Sequence, residues 1–362
     1  MTMDRSAEVD FKIALVRSFL IEQEGVRLRG IDWFAWATAG ASSAVLLAAE
    51  TGIAEVLITL DGAWILTDDI EARRLQDEEI VGSYTIHASA WATPQDREQF
   101  VRKKGGTLIL SDRPKIGEAP LPSGMIDFKR SMMPGEIERY RKVGRLAAEA
   151  MTETLSLAEP EWTEWDLAGA GADALLSRGI HPALVLSAGN RRLPIYRHPT
   201  PSMDRIGNCA MLVFCGRMYG LYANLTRFVS FGPLEQAAVD RHRIVREIEA
   251  RVLEQSKPGA SLHSMYTVLA GAYAEAGQAR AIQEHHQGGT TGYLSREIVV
   301  TPDLLGEYLR SNSAVAWNPS IKGAKIEDTF LVTDTGLLNL TLDPVWPVIE
   351  VAGLKRPLVL ER

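Results

Sequence analysis

The sequence predicts an α/β protein (α+β) made of two domains, and three observations lead to this expectation. The chain has 362 residues, about twice the usual size of one domain. Segments with helical spacing of apolar residues alternate with short apolar runs typical of strands. A stretch rich in proline and glycine, residues 112–131, interrupts this alternation. We therefore expect one domain over residues 1–125 and a second over residues 126–362.

The first domain is predicted to contain two helices and three strands. Apolar spacing places helices at residues 11–20 and 69–75, and strands at 56–60, 64–67 and 107–110. Asp61-Gly62 separates the first two strands, and this dipeptide favours the tight turn of a β-hairpin. This part of the chain therefore looks like a small α/β domain.

The second domain is predicted to begin with a long helix. Pro134 suits the first turn of a helix, where a missing N–H costs nothing, and Tyr140 and Val143 lie on one apolar face behind it. Further apolar segments indicate two more helices, at residues 165–176 and 234–255. They also indicate four strands, at residues 210–214, 219–231, 314–317 and 326–332.

Composition and charge exclude several classes of protein. Hydrophobic residues make up 46% of the chain and charged residues 23%, which is ordinary for a packed domain. The net charge of −7 argues against a nucleic-acid-binding protein and against a polybasic membrane anchor. Cys209 and Cys215 have no spacing typical of a zinc site or a disulfide framework. The polar start of the chain shows no signal peptide, so we expect a cytoplasmic location.

Several segments, taken together and in order, resemble the creatinase and aminopeptidase P superfamily. They are residues 30–36, 66–73, 134–137, 187–198, 220–227, 285–292 and 326–336. The resemblance covers nearly the whole chain. It implies a creatinase-like N-terminal domain and a C-terminal pita-bread domain, in which a curved antiparallel sheet is flanked by helices. It also implies a homodimer.

The resemblance bears directly on metal binding. Most peptidases of this superfamily hold two divalent ions with two Asp, one His and two Glu. Carried over to this sequence, these positions fall in order on Val213, Asn224, Gly289, Asn318 and Glu327. Four of the five have lost the ligand atom, and two ions need several anionic ligands to offset their dehydration and mutual repulsion. We therefore expect no metal ion and no other cofactor. A thiolate ligand from the neighbouring Cys215 is the open alternative.

Two residues are predicted to be catalytic by the resemblance to creatinase, which works without metal. His198 falls where creatinase has its acid/base histidine, and histidine can take and give a proton near neutral pH. Glu327 would orient that imidazole or the reacting group of the substrate. The alternatives are an exposed, inert loop histidine and a carboxylate held in a salt bridge at a strand edge.

Six further residues are predicted to contact substrate. Arg296 falls where the metallopeptidases have a second active-site histidine, and its planar guanidinium suits a carboxylate or phosphate. The alternative for Arg296 is an ion pair with Glu297 or Glu284. Adjacent residues of a strand point to opposite faces, so at most one of two neighbouring histidines is expected to face the pocket. The remaining candidates are His285, His286, Tyr293, Asn224 and Asn318.

The loss of four metal-ligand positions, together with the retained His198, favours a hydrolase that works without metal. We expect a metal-independent, creatinase-like hydrolase that acts on the C–N bond of an amide, amidine or guanidino group. The substrate would be a small molecule or short peptide. One alternative is a metal-dependent Xaa-Pro aminopeptidase or dipeptidase. The other is a catalytically silent pita-bread domain that binds a peptide or protein.

Overall fold

The computed structural model describes residues 4–362, which divide into two compact units. The first unit contains the chain up to Arg139 together with Tyr219–Leu221, and the second contains Tyr140–Met218 and Tyr222–Arg362. The sequence boundary at 125/126 lies before this division, which falls inside a long helix. Among the described residues, no helix combines the length and apolar character needed to cross a bilayer.

The first unit is built on a mixed sheet of six strands. The strands are β1 Glu24–Gly30, β2 Thr51–Thr59, β3 Ala63–Asp68, β4 Thr85–Ser89, β5 Leu108–Ser111 and β6 Ala119–Pro120, in the spatial order β4-β3-β2-β1-β5-β6. The helices are α1 Arg5–Arg17, α2 Ile31–Ala37, α3 Ala72–Arg74, α4 Pro94–Lys104 and α5 Ser123–Arg130.

The predicted hairpin is present, because β2 and β3 pair antiparallel with Ile58 opposite Ala63. The helix predicted at residues 69–75 is wrong in extent. Only the short α3 forms there, and a π-helical turn over Leu75–Glu79 follows it.

The helices of the second unit agree with the sequence pattern, with one addition. They are α6 Pro134–Leu157, α7 Glu164–Leu176, α8 Gln236–Gln255 and α9 Leu262–Glu275, of which the last was not predicted. Helix α6 begins at its proline as expected. Helix α7 begins with a capping box, in which the Thr163 side chain accepts from the Asp166 N–H and the Asp166 carboxylate accepts from the Thr163 N–H.

The strands of the second unit form two larger sheets and two hairpins. One sheet has the order β19-β9-β8-β7 and the other β11-β10-β12-β15-β16, while β13-β14 and β17-β18 are hairpins. The bounds are β7 His181–Gly189, β8 Cys209–Met218, β9 Leu221–Ser230, β10 Gly288–Thr291, β11 Ile298–Val299, β12 Ser313–Trp317, β13 Ser320–Ile321, β14 Ala324–Lys325, β15 Asp328–Thr333, β16 Gly336–Asn339, β17 Val348–Val351, β18 Leu354–Pro357 and β19 Leu360–Glu361. An isolated antiparallel bridge between Thr226 and Glu327 joins the two larger sheets.

The apolar core of this unit determines which strand face is left for polar groups. Val315 of β12 and Phe330 of β15 pair directly and pack in one buried cluster with α8 and α9. Side chains alternate along a strand, so Ala316 and its partner Thr329 point to the opposite face. That face carries small and polar residues. The mixture of helices and sheets confirms the predicted α+β class.

Candidate active site

The strands of the second unit bring several polar side chains to one face. Asn224 and Thr226 are two residues apart on β9, so their side chains point to the same face. The backbone of Thr226 pairs with that of Glu327. The Thr226 hydroxyl donates to Glu327 Oε2 over 3.2 Å. Lys325 stands two residues before Glu327, and its Nζ lies 3.5 Å from the same oxygen. The short segment from β14 to the start of β15 thus places a carboxylate and an ammonium side by side.

Glu327 is the centre of this charged group. Its other oxygen, Oε1, accepts a hydrogen bond from Arg296 Nη2, so the carboxylate lies between two cations. Glu327 is only 1% exposed. Burial alone would raise the pKa of this carboxyl, but Lys325 and Arg296 outweigh burial and lower the pKa below its usual value. Glu327 is therefore an ionised carboxylate, and its charge is already balanced by the protein.

Two of the five N–H donors of Arg296 are engaged by the protein. Its Nη1 donates to the carbonyl oxygen of Ser295 over 2.7 Å and its Nη2 to Glu327, while its buried Nε has no acceptor among residues 4–362. Glu284, one of the two acidic residues considered as a partner for Arg296, pairs with Arg197. The ammonium of Lys325 has three donors and lies 3.5 Å from Glu327 Oε2, so Lys325 also keeps donors for a substrate.

Three histidines meet next to this charged group. His285 Nε2 and His198 Nε2 are 2.7 Å apart, which is a hydrogen bond, and their rings meet edge to face. The rings of His285 and His286 are stacked with centroids 4.6 Å apart, and His286 also faces His198 at 5.5 Å. The expectation that at most one of the adjacent histidines faces the pocket is wrong. Both lie in the irregular segment before β10, where strand alternation does not apply.

The surroundings of all three imidazoles disfavour the protonated form. Burial lowers the pKa of His285 to about 2 and that of His286 to about 4, and nearby Lys325 and Arg296 respectively add to the effect. Burial and then Lys325 also lower the pKa of His198, with Glu327 partly opposing them. His198 is the more exposed member of the 2.7 Å pair, whereas His285 is 8% exposed. A neutral, accessible imidazole can accept a proton at neutral pH.

The predicted link between His198 and Glu327 is not a direct one. The hydrogen-bond partner of His198 is His285, and no bond joins His198 to Glu327 within residues 4–362. A neutral imidazole donates from one ring nitrogen and accepts at the other. By engaging Nε2, His285 orients the His198 ring and fixes the complementary role of its Nδ1.

Asn224 and Asn318 are fully buried and each presents an unused oxygen. Asn224 Nδ2 donates to Thr291 Oγ1 over 2.9 Å, and the backbone N–H of Asn318 donates to Gln287. Neither Oδ1 atom receives a hydrogen bond from the described part of the chain. A buried amide oxygen without a donor suits a ligand N–H or a water. Tyr293 is buried in the segment between β10 and Arg296.

The positions that hold two ions in the related peptidases cannot do so here. Val213 packs in an apolar cluster that includes Leu186 and Met211. A side-chain Cβ at Gly289 would lie 2.0 Å from the Ile298 carbonyl oxygen, and the φ of this glycine is 154°. Burial raises the pKa of Cys215 to about 12, so this thiol is no ready thiolate ligand. With Glu327 engaged by two cations, the residues present do not fit the two-metal centre.

The three histidines provide another group of possible metal ligands. One nitrogen from each of His198, His285 and His286 lies within 4.8 Å of the others, a spacing that a single transition-metal ion could use. The fixed charges beside them are Lys325, Arg296 and Glu327, which sum to one positive charge. This surplus favours an anion over a cation.

Sequence comparison places the chain in a family. The profile of metallopeptidase family M24 matches residues 138–334, more than half of the chain. The chain belongs to metallopeptidase family M24. This assignment confirms the resemblance to the creatinase and aminopeptidase P superfamily, a group of hydrolases. An uncharacterized peptidase of Staphylococcus aureus (strain MRSA252) is 24% identical over 217 residues, which are 57% of this chain and 61% of the relative. The match thus spans about three fifths of the curated relatives' length.

Solved structures share the same pita-bread architecture. The X-Pro aminopeptidase of Thermotoga maritima superposes with a TM-score of 0.76 at 16% identity, covering 98% of this chain and 99% of that one. The Xaa-Pro dipeptidase of Bacillus anthracis gives 0.75 at 18% identity, with coverage of 98% and 100%. At such identities the likeness shows the fold, and it confirms the predicted fold class.

Lys325 and Thr226 are site residues that sequence analysis missed. Both could have been found from the alternation of strand side chains, because Lys325 precedes Glu327 by two residues and Thr226 follows Asn224 by two. Arg227 points the other way, donates to Asp328 Oδ1 over 2.7 Å and supports the sheet. Behind the site, Asp328 also pairs with Arg356, which in turn pairs with Glu249.

Proposed function

We propose that this chain hydrolyses an amide C–N bond in a short peptide and that it does so without the two-metal centre of its family. Membership of a peptidase family, and relatives named as peptidases, favour a peptide over the guanidino compound expected from the sequence. The hydrogen-bonded pair of His198 and His285, next to a carboxylate already balanced by cations, carries the metal-independent part of the proposal.

His198 would act as the general base and then the general acid. The neutral imidazole takes a proton from water as the water oxygen bonds to the amide carbon. The same proton then passes to the leaving nitrogen as the C–N bond breaks, which gives a carboxylic acid and an amine. His285 is the positioning residue, because it orients the His198 ring through the 2.7 Å contact.

The charged and amide groups suit the two ends of a peptide. Lys325, a cation beside a carboxylate that Arg296 already balances, is the anchor for a substrate carboxylate. The buried Oδ1 atoms of Asn224 and Asn318 would accept hydrogen bonds from substrate N–H groups. Glu327 would hold both Lys325 and Arg296 in place, with little direct contact to substrate.

A metal-dependent peptidase is the second candidate function. It is favoured by membership of a metallopeptidase family and by the three histidine nitrogens within 4.8 Å of one another. In that case His198 would be a ligand and could not carry the proton.

A panel of dipeptides, including Xaa-Pro sequences, and of small amidines tests the proposal on the purified chain. We expect dipeptide turnover that a chelator leaves unchanged, and a kcat/KM lowered about 10²- to 10⁴-fold by His198→Ala. His263→Ala, a histidine on α9 outside the cluster, is the matched control. Loss of activity on chelation with recovery on adding metal would select the second candidate. No turnover of any substrate would contradict both and favour a silent binding domain.

A further inference from the structure

A second pocket of the same unit lies away from the histidines. It has a volume of about 510 Å³, which is within the range of pockets that bind small molecules. Its walls come from helix α8 with the residues before it and from the end of the chain. Most of the lining is aliphatic: Leu234, Val239, Val345, Pro347, Leu358 and Leu360.

Two polar side chains from helix α8 also line this pocket. His242 and Arg246 are four residues apart, so they share one helix face. They are 6% and 7% exposed. Within residues 4–362, Arg246 makes no hydrogen bond and no ion pair, and its recorded interactions are longer-range ones with Glu247, Arg243 and Arg356. A largely buried guanidinium with no acceptor from the described part of the protein is available to pair with the negative group of a ligand.

We propose that this pocket binds a monocarboxylate with an aliphatic chain. The carboxylate would accept hydrogen bonds from Arg246, with His242 as a neutral second donor, and the chain would occupy the aliphatic walls. Burial lowers the pKa of His242 to about 3, so Arg246 is the cation that the ligand meets. This proposal does not depend on the hydrolysis proposed above.

Two features of the lining select this ligand class. No phenylalanine, tyrosine or tryptophan lines the pocket, and the one imidazole, His242, packs edge to face against Phe228, so an aromatic ligand has little surface to stack on. Glu361 lines the pocket as well and repels every anion, a dianion such as a phosphate monoester more strongly than a monoanion. A single carboxylate can pair with Arg246 with the least repulsion from Glu361, and a hydrocarbon tail matches the aliphatic walls.

Isothermal titration of decanoate and decanol into the full chain tests the proposal. We expect decanoate to bind the wild-type chain and Arg246→Gln to weaken it by at least about tenfold, or about 1.4 kcal/mol. Decanol lacks the carboxylate, so its weaker binding is expected to be the same in both proteins. Arg243→Gln is the matched control, because Arg243 stands on the same helix but is exposed and paired with Glu247.

The remaining outcomes separate a ligand site from a structural role. Removing an unpaired buried cation is expected to leave the melting temperature unchanged or raise it. Val239→Trp, which fills the pocket at its apolar wall, is expected to weaken decanoate and decanol alike. Equal decanoate affinity of wild type and Arg246→Gln would overturn the proposal, as would failure of decanoate to bind the wild-type chain at roughly 1 mM. Strong destabilisation by Arg246→Gln would also overturn it, because it would show that Arg246 supports the fold.

Discussion

Replacing Glu327 by Gln tests whether this carboxylate balances two protein cations. The substitution keeps the shape of the side chain and removes its charge, which leaves Arg296 and Lys325 facing each other in a site where both are largely buried. Breaking one partner of a buried ion pair costs about 3–5 kcal/mol. At about 2–4 °C per kcal/mol for a unit of this size, the melting temperature should fall by about 6–20 °C.

Thermal unfolding followed by circular dichroism or calorimetry measures this change. Glu284→Gln provides the matched control, because Glu284 also pairs with an arginine, Arg197, but is 44% exposed. An exposed pair contributes about 0–1 kcal/mol, so the control should melt close to the wild type. If Glu327→Gln unfolded as late as Glu284→Gln, the two cations would not depend on Glu327 and the charge argument for the site would fail.

Three further predictions concern the site and its supports. In the pH profile of kcat/KM, activity should be present at high pH and be lost as pH falls, with a midpoint below the ordinary imidazole pKa of about 6.5. Lys325→Gln should move this midpoint to higher pH, because Lys325 lowers the pKa of His198. A midpoint that Lys325→Gln leaves unchanged would contradict this charge effect. Gly289→Ala should destabilise the chain by about 1–3 kcal/mol in chemical denaturation, because the new Cβ meets a backbone oxygen. Gly169→Ala, in open space on α7, is the control and should stabilise the chain by about 0.5–1 kcal/mol. Similar effects of the two substitutions would be evidence against the close approach at Gly289. Asp328→Asn should cost about 3–5 kcal/mol in the same assay, since Asp328 pairs with two buried arginines, and near-normal stability would refute that pairing.

Sequence patterns predicted helices, strands and turns well where these depend on neighbouring residues. The turn at Asp61-Gly62 and the proline at the start of α6 depend on a few neighbouring residues, and both predictions are confirmed. Helix α1 shows the opposite case. It buries Lys12 between Glu8 and the distant Glu136, at 2.8 and 2.9 Å, while Phe11 is 46% exposed. Apolar spacing cannot reveal a buried ion pair formed over such a separation in sequence.

The sequence predicted several residues of the candidate site but not the hydrogen bonds between them. The sequence indicated His198, His285 and Glu327, but it suggested that Glu327 would orient His198. In the structure His285 makes that contact, because the segment before β10 is irregular and turns both neighbouring histidines the same way. Strand alternation failed in this segment, yet the same rule would have identified Lys325.

The close approach at Gly289 also restricts how this sequence can change. The resemblance to two-metal peptidases places a metal-binding histidine at this position, but here the carbonyl oxygen of Ile298 on the paired strand β11 lies where a Cβ would stand. Gly289→His would therefore disrupt the sheet before the new side chain could contribute a ligand. Any series of substitutions toward a two-metal centre would first require β11 to move away from β10, and each step would carry the cost of a weakened strand pair.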